Sequence, residues 1–201
     1  MVIDGIYYAL AFSAGGALVC YVAGVPFGVP LFLAAAFCLY FFRDPEREIP
    51  AGDVAVSPAD GRVVALKPEG PQTTRVSIFM NVFDVHVNRA PIAGKIVKVV
   101  HKPGRFLIAD RERASIENEQ NLVEIEGEAA TVAFKQIAGL IARRIVCYKR
   151  PGDVVAQGER VGLIKFGSRV DVLLGPEWTI EVREGMRVKA GSSVLARRRA
   201  E

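Results

Sequence analysis

Between two runs with the composition of strands, Val161–Phe166 and Val170–Leu174, stands the tetrapeptide Phe166-Gly167-Ser168-Arg169. A Gly-Ser bond in a tight bend brings the serine hydroxyl up to a carbonyl that no Cβ shields. Attack of that hydroxyl on the Gly167 carbonyl would turn the peptide bond into an ester. β-Elimination would then part the chain after Gly167, and hydrolysis of the new residue 168 would leave a pyruvoyl group at an amino terminus. Most Gly-Ser pairs are simply turns, so this chemistry depends on what the rest of the chain brings to the serine.

The densest polar cluster is Phe79-Met80-Asn81-Val82-Phe83-Asp84-Val85-His86-Val87-Asn88-Arg89-Ala90-Pro91. In an extended segment residues 84, 86 and 88 share one face. His86 is one of two histidines, and an imidazole exchanges protons near neutral pH. The other, His101, stands beside Lys102 at a strand end and reads as a surface residue. Ser57-Pro58-Ala59-Asp60-Gly61-Arg62 reads as a turn entering a strand, which Asp60-Gly61 alone suffices to make. Arg143 and Arg144 are adjacent on a strand-like run, so at most one of them faces a common site. Cys20, Cys38 and Cys147 have no metal-ligand spacing with either histidine, and reduced structural thiols are expected.

The elements that must hold these residues fall into two parts. No Asp, Glu, Lys or Arg occurs from Gly5 to Phe42, and Gly24, Pro26, Gly28 and Pro30 interrupt that run. Two helices of about 17 residues would each be about 26 Å long, marginal for a hydrocarbon core of roughly 30 Å. Residues 1–42 are therefore expected to anchor the chain to a membrane as a hydrophobic helical hairpin, whether a short two-helix hairpin, a shallow re-entrant pair, or one span with a partly inserted partner. A secretory signal fits poorly, because Met1–Asp4 lacks a basic residue. Arg43 and Arg47 place the following part on the cytoplasmic side. The chain carries +4, and Asp4 is the only charge before Arg43, so the remainder holds +5, which suits an anionic lipid surface. No interleaving of aromatic and basic residues points to nucleic acid.

Residues 43–56 read as a juxtamembrane linker and 57–201 as the globular domain. Short runs rich in Val and Ile recur there: 62–66, 75–81, 95–100, 121–125, 130–133, 144–148, 160–164, 170–174 and 179–182. Residues 112–120 read as loop or short helix, and 136–142 as helix or strand. The segment from Lys149 to Ile164 resembles that from Val182 to Leu195: turn glycine, strand valine, second turn glycine, strand. The expected fold class is mainly β, a barrel-sandwich or hybrid-type domain behind the helical anchor. Neither copy of the repeat carries the central lysine of a carrier protein.

With these pieces in place, the chain resembles the phosphatidylserine decarboxylase proenzymes of the short type. The matching segments are FFRDPER, SPADGRV, FMNVFDVHVNRAP, HKPGRF, ENEQN, KQIAGLIARRIV and FGSRVDV, in order from Phe41 to about Leu174. The resemblance implies self-cleavage between Gly167 and Ser168. A large chain, 1–167, and a small chain, 168–201, would stay together as a heterodimer. It implies a pyruvoyl group derived from Ser168, with no metal, that forms a Schiff base with the serine headgroup of phosphatidylserine. That group accepts the electrons released on decarboxylation, and phosphatidylethanolamine leaves. The implied catalytic residues are Ser168, His86 and Asp60; beside them Arg89 is a candidate to hold the substrate carboxylate or phosphate at the cell membrane, and Arg144 or Arg143 a second candidate for the phosphate. Longer members carry a second histidine three residues after the first. Here Arg89 fills that place, and arginine is a poor general base, so a complete Asp-His-Ser relay does not carry over. Two alternatives to a decarboxylase are a membrane-anchored binding module without activity and a membrane serine peptidase using Ser168, His86 and Asp60.

Overall fold

Inside a membrane or out of it, an apolar run must satisfy its own backbone groups. Residues 3–41 do so as two helices, α1 (Ile3–Ala23) and α2 (Val25–Phe41). The computed structural model describes residues 1–105, 117–139, 144–165 and 168–199. It divides into two units, Met1–Glu46 and Arg47–Glu201. Between the helices Gly24 has φ 99°, a conformation that glycine adopts without strain. The Val2 N–H donates to the Phe42 carbonyl at 3.0 Å, so the open ends of the hairpin meet. The helices approach closely where small residues face each other: a Cβ on Gly28 would lie 2.6 Å from the Gly16 carbonyl oxygen. Tyr21, Val22, Phe27 and Leu33 point outward and exposed. α1 has 21 residues, longer than the expected half of the run, because Gly15 and Gly16 pack instead of breaking it. It is long and apolar enough to cross a membrane, and α2, with 17, is shorter.

The second unit is built from strands: β1 (Val54–Val56), β2 (Gly61–Pro68), β3 (Thr74–Met80), β4 (Val87–Arg89), β5 (Gly94–Lys102), β6 (Gln120–Glu126), β7 (Thr131–Ile137), β8 (Arg144–Cys147), β9 (Val154–Val155), β10 (Arg160–Lys165), β11 (Ser168–Leu174), β12 (Trp178–Ile180), β13 (Arg187–Val188) and β14 (Val194–Arg198). A curled eight-stranded sheet has the order β13-β2-β3-β11-β7-β6-β5-β9, and two three-stranded sheets have the orders β1-β14-β12 and β4-β10-β8. The mainly β expectation and the apolar helix pair are both present. Of the ambiguous segments, Gln136 and Ile137 end β7, while 112–116 and 140–142 lie outside the described residues.

The internal repeat has a structural counterpart. Its four turn glycines, Gly152, Gly158, Gly185 and Gly191, have φ of 100°, 74°, 88° and 77°. The first short strand of each copy, β9 or β13, closes one edge of the eight-stranded sheet. The second, β10 or β14, runs down the middle of a three-stranded sheet. The repeat thus builds the rims, and β11 lies between β3 and β7 inside the large sheet. Alternation along β11 turns Val170, Val172 and Leu174 into the apolar core with Val76, Ile78 and Phe134.

Candidate active site

Ser168 is the first residue of β11, fully buried, and paired in register with Met80 of β3. It shares the core-facing side with Val170 and Val172. A buried hydroxyl normally finds a backbone carbonyl; this one donates to the Met80 thioether at 3.3 Å, a weak acceptor. Gly167 lies outside the described residues, between the end of β10 at Lys165 and Ser168.

His86 immediately precedes β4 and is 2 % exposed. Its Nδ1 lies 2.9 Å from the Asp84 carbonyl oxygen. A carbonyl only accepts, so Nδ1 carries the proton, and whenever the ring is neutral its lone pair is at Nε2. Its own carbonyl accepts from the Ile164 N–H at 3.3 Å, which ties it to the strand leading into the Gly167–Ser168 bond. Ser168 and His86 therefore flank the same stretch of chain, one from β3–β11 and one from β4–β10. Ser168 donates to Met80 and not to His86.

Asp60 stands elsewhere. Both of its carboxylate oxygens lie 3.0 Å from Arg47 Nη2, and Oδ1 also accepts from the Ala190 N–H at 2.8 Å. Those contacts join the Arg47 segment, the 57–61 loop and the Gly191 turn, and they do not include His86. Arg89 lies on the same side, nearly buried, with Nη1 donating to the Gly158 carbonyl at 3.0 Å. Its neighbour in β4, Asn88, projects the opposite way, towards Met80. Arg144 begins β8, exposed, across from Lys165 of β10, which is 8 % exposed; Arg143 lies outside the described residues. Asp84 is occupied by Arg187 Nη1 at 3.1 Å and by the Asn81 N–H. His101 is on the surface, 3.9 Å from Glu119.

Several residues near Ser168 were not singled out individually, although Gln136, Asn121, Arg169 and Asp171 fall in the quoted segments KQIAGLIARRIV, ENEQN and FGSRVDV. Gln136 stands opposite Val170 across β7–β11 and opposite Asn121 across β6–β7, so both amides face the interior with Ser168. Burial pushes the Cys147 thiol above its ordinary pKa, against hydrogen bonds to Lys149 and Asn121 that pull it down. On the other face of β11, Arg169 Nε lies 2.6 Å from Asp171 and Nη2 donates to Ser77 Oγ at 2.6 Å, all three buried. Buried charges of this kind are tolerable only when paired. Arg169 and Asp171 fall in the FGSRVDV segment, but nothing in it showed that they pair with each other and with Ser77. A cleft of about 590 Å³, lined by Asp53, Ile92, Gly127, Trp178 and Arg198, lies near the Leu174 end of β11, away from Ser168. Among the described residues no group of three or more His, Cys, Asp or Glu is arranged to hold a metal ion.

Comparison with known proteins gives one answer. The family model described as phosphatidylserine decarboxylase matches residues 34–196. A phosphatidylserine decarboxylase proenzyme of Solibacter usitatus (strain Ellin6076) is 69% identical over 198 residues, covering 98% of this chain and 97% of its own. One from Magnetococcus marinus (strain ATCC BAA-1437 / JCM 17883 / MC-1) is 50% identical over 175 residues, covering 83% of this chain and 80% of its own.

Proposed function

Because the chain belongs to the phosphatidylserine decarboxylase family, we propose that it converts phosphatidylserine to phosphatidylethanolamine, using a pyruvoyl group that it makes from Ser168 by cutting itself after Gly167. The observation that carries this reading is the state of Ser168. It is fully buried at the start of a central strand, and its hydroxyl is held only by a thioether among the described residues. A hydroxyl so weakly engaged remains a nucleophile, and a serine kept for stability would have a stronger acceptor.

The pocket fits the group that would replace the serine: residue 168 faces inward, Met80 and Val170 exclude water, and the Asn88 carboxamide lies close by. When present, the pyruvoyl group supplies an electron sink for the pair released as the carboxylate leaves. The protein's own part is then positional and protonic. His86, with Nδ1–H fixed on the Asp84 carbonyl, presents Nε2 as the atom that takes or returns a proton at the substrate carbon. Arg144 is exposed beside the strand that leads to the cleavage site, and we assign it to the headgroup phosphate, which a guanidinium binds well. Asp60 and Arg89 hold segments together and do not touch the serine. Asp60 bridges Arg47 to Ala190, which would belong to the small chain.

After cleavage the two chains remain one heterodimer on this reading. Residues 168–201 supply β11, β12, β13 and β14, and β11 pairs along its whole length with β3. The anchor helices hold the protein at a membrane, and Arg43 and Arg47 assign the catalytic unit to the cytoplasmic face. The peptidase alternative lacks its hydrogen bonds: Ser168 does not meet His86, and Asp60 is spent on Arg47 and Ala190. A binding module without activity would leave the family match and the buried serine without a purpose.

The test is Ser168→Ala in the full chain, assayed on phosphatidylserine vesicles. The parent is expected to form phosphatidylethanolamine and to run as two chains under denaturation. The variant is expected to stay whole and to form none. A variant that still cuts itself and decarboxylates removes the reading.

A further inference from the structure

Asn88 is fully buried, and its neighbours fix which way its carboxamide faces. Asn121 Nδ2 donates to Gln136 Oε1 at 3.0 Å, and Gln136 Nε2 donates to Asn88 Oδ1 at 2.9 Å. With its oxygen taken by Gln136, Asn88 must turn its NH2 the other way. There Nδ2 lies 3.4 Å from the Pro58 carbonyl and 3.9 Å from Met80 Sδ, the sulfur that Ser168 Oγ addresses at 3.3 Å. Two donors thus converge on one soft acceptor at residue 168. Three amides in a buried row are costly to desolvate unless each is paired, and this row is oriented so that its last N–H points at the serine's surroundings.

The hydrogen-bonding character of Oγ changes during processing. As a hydroxyl it is a donor and takes the Met80 sulfur. Once it has attacked the Gly167 carbonyl it has no proton and can only accept. Building on the reading of Ser168 above, we propose that the Asn88 carboxamide is a catalytic group of self-cleavage, donating an N–H to Oγ of residue 168 as that oxygen leaves, with Gln136 and Asn121 as positioning residues that hold the amide the right way round. In the step concerned, the Cα proton of residue 168 passes to the His86 imidazole and its electron pair forms the Cα=Cβ bond. The Cβ–Oγ bond breaks, and Oγ departs as one oxygen of the Gly167 carboxylate. Tautomerisation and addition of one water then release ammonia and leave the ketone. Negative charge on Oγ grows only in the elimination, so a donor placed there stabilises the transition state more than the ester before it.

The donor therefore acts after the ester has formed, which gives it a signature that a structural amide lacks. The full chain is synthesised cell-free into phosphatidylglycerol–phosphatidylcholine vesicles, and the release of the 168–201 fragment is followed with time, with and without neutral hydroxylamine. Asn88→Leu removes the donor. Gln136→Met keeps the donor and removes the group that orients it, and provides a second route should Asn88→Leu not fold. Unfolding midpoints are measured for both. Release is expected to slow about a hundredfold in Asn88→Leu, as for loss of one oxyanion donor. In Gln136→Met it is expected to slow about tenfold, as for loss of an orienting partner. In both, the uncut chain is expected to accumulate as ester, which hydroxylamine cuts at 167/168 to give a small chain beginning with serine. A folded variant that processes at the parent's rate overturns the proposal, and so does one that stalls without any hydroxylamine-sensitive chain. A parent that never releases the fragment overturns the Ser168 reading and this one with it; a parent that processes beside equally fast variants overturns the amide role alone.

Discussion

At the scale of single residues, the proposed chemistry lies on one face of β4 and of β11 and charged groups lie on the other. Asn88 and Ser168 face the interior, whereas Arg89 joins the Asp60–Arg47 side and Arg169 joins Asp171. His86→Ala is therefore expected to slow the release of the small chain. Whatever fraction is processed should decarboxylate at least about a hundredfold more slowly, the usual worth of a positioned proton donor. Turnover divided by the amount of small chain present checks this. Asp171→Ala should leave Arg169 buried without its carboxylate, at a cost of about 3 kcal/mol or more, measured by denaturant unfolding of the processed protein. The sequence made Ser168 and His86 stand out because each sits in a distinctive local string. It could not reveal Asn121, Gln136 and Asn88 as a row, because only the register of β6 on β7 and the packing of β4 bring them together. Nor did the motif around Asp60 disclose that its partner is Arg47, 13 residues earlier.

At the scale of elements, the longer Val- and Ile-rich runs were legible as strands, since their alternation is local. The short strands β1 and β4 were not, because three residues carry no period and owe their conformation to partners elsewhere, and β9 and β13 showed only as the valines between the turn glycines of the repeat. The glycine repeat was legible, and its role at the two rims follows from positive φ in all four turns. Two of those glycines separate backbone strain from crowding. A Cβ at Gly152 meets nothing within 4 Å, whereas one at Gly158 would run into the Ile49 side chain. Gly152→Ala should thus cost only the left-handed penalty of about 1–2 kcal/mol. Gly158→Ala should cost more, and thermal unfolding of the two variants side by side gives the comparison.

At the scale of the whole molecule, two units divide the work. The charge-free run was readable as helices from composition alone, but its division into 21 and 17 residues depended on close packing at Gly16 and Gly28. A chain beginning at Arg47 keeps the Arg47–Asp60 pair and every strand. It is expected to cut itself as the full chain does and to lose most of its partition into vesicles, which flotation of both forms on a density gradient measures. The embedding of β11 between β3 and β7 means that the cut chains should separate only on denaturation.

The most direct test of the central claim is the intact mass of protein purified from active membranes, taken before and after reductive amination. A small chain spanning residues 168–201 whose amino end is a ketone, and which gains the mass of the added amine on reduction, is the predicted result. A single unbroken chain, or a fragment that begins with an unmodified serine and does not react, would contradict the account.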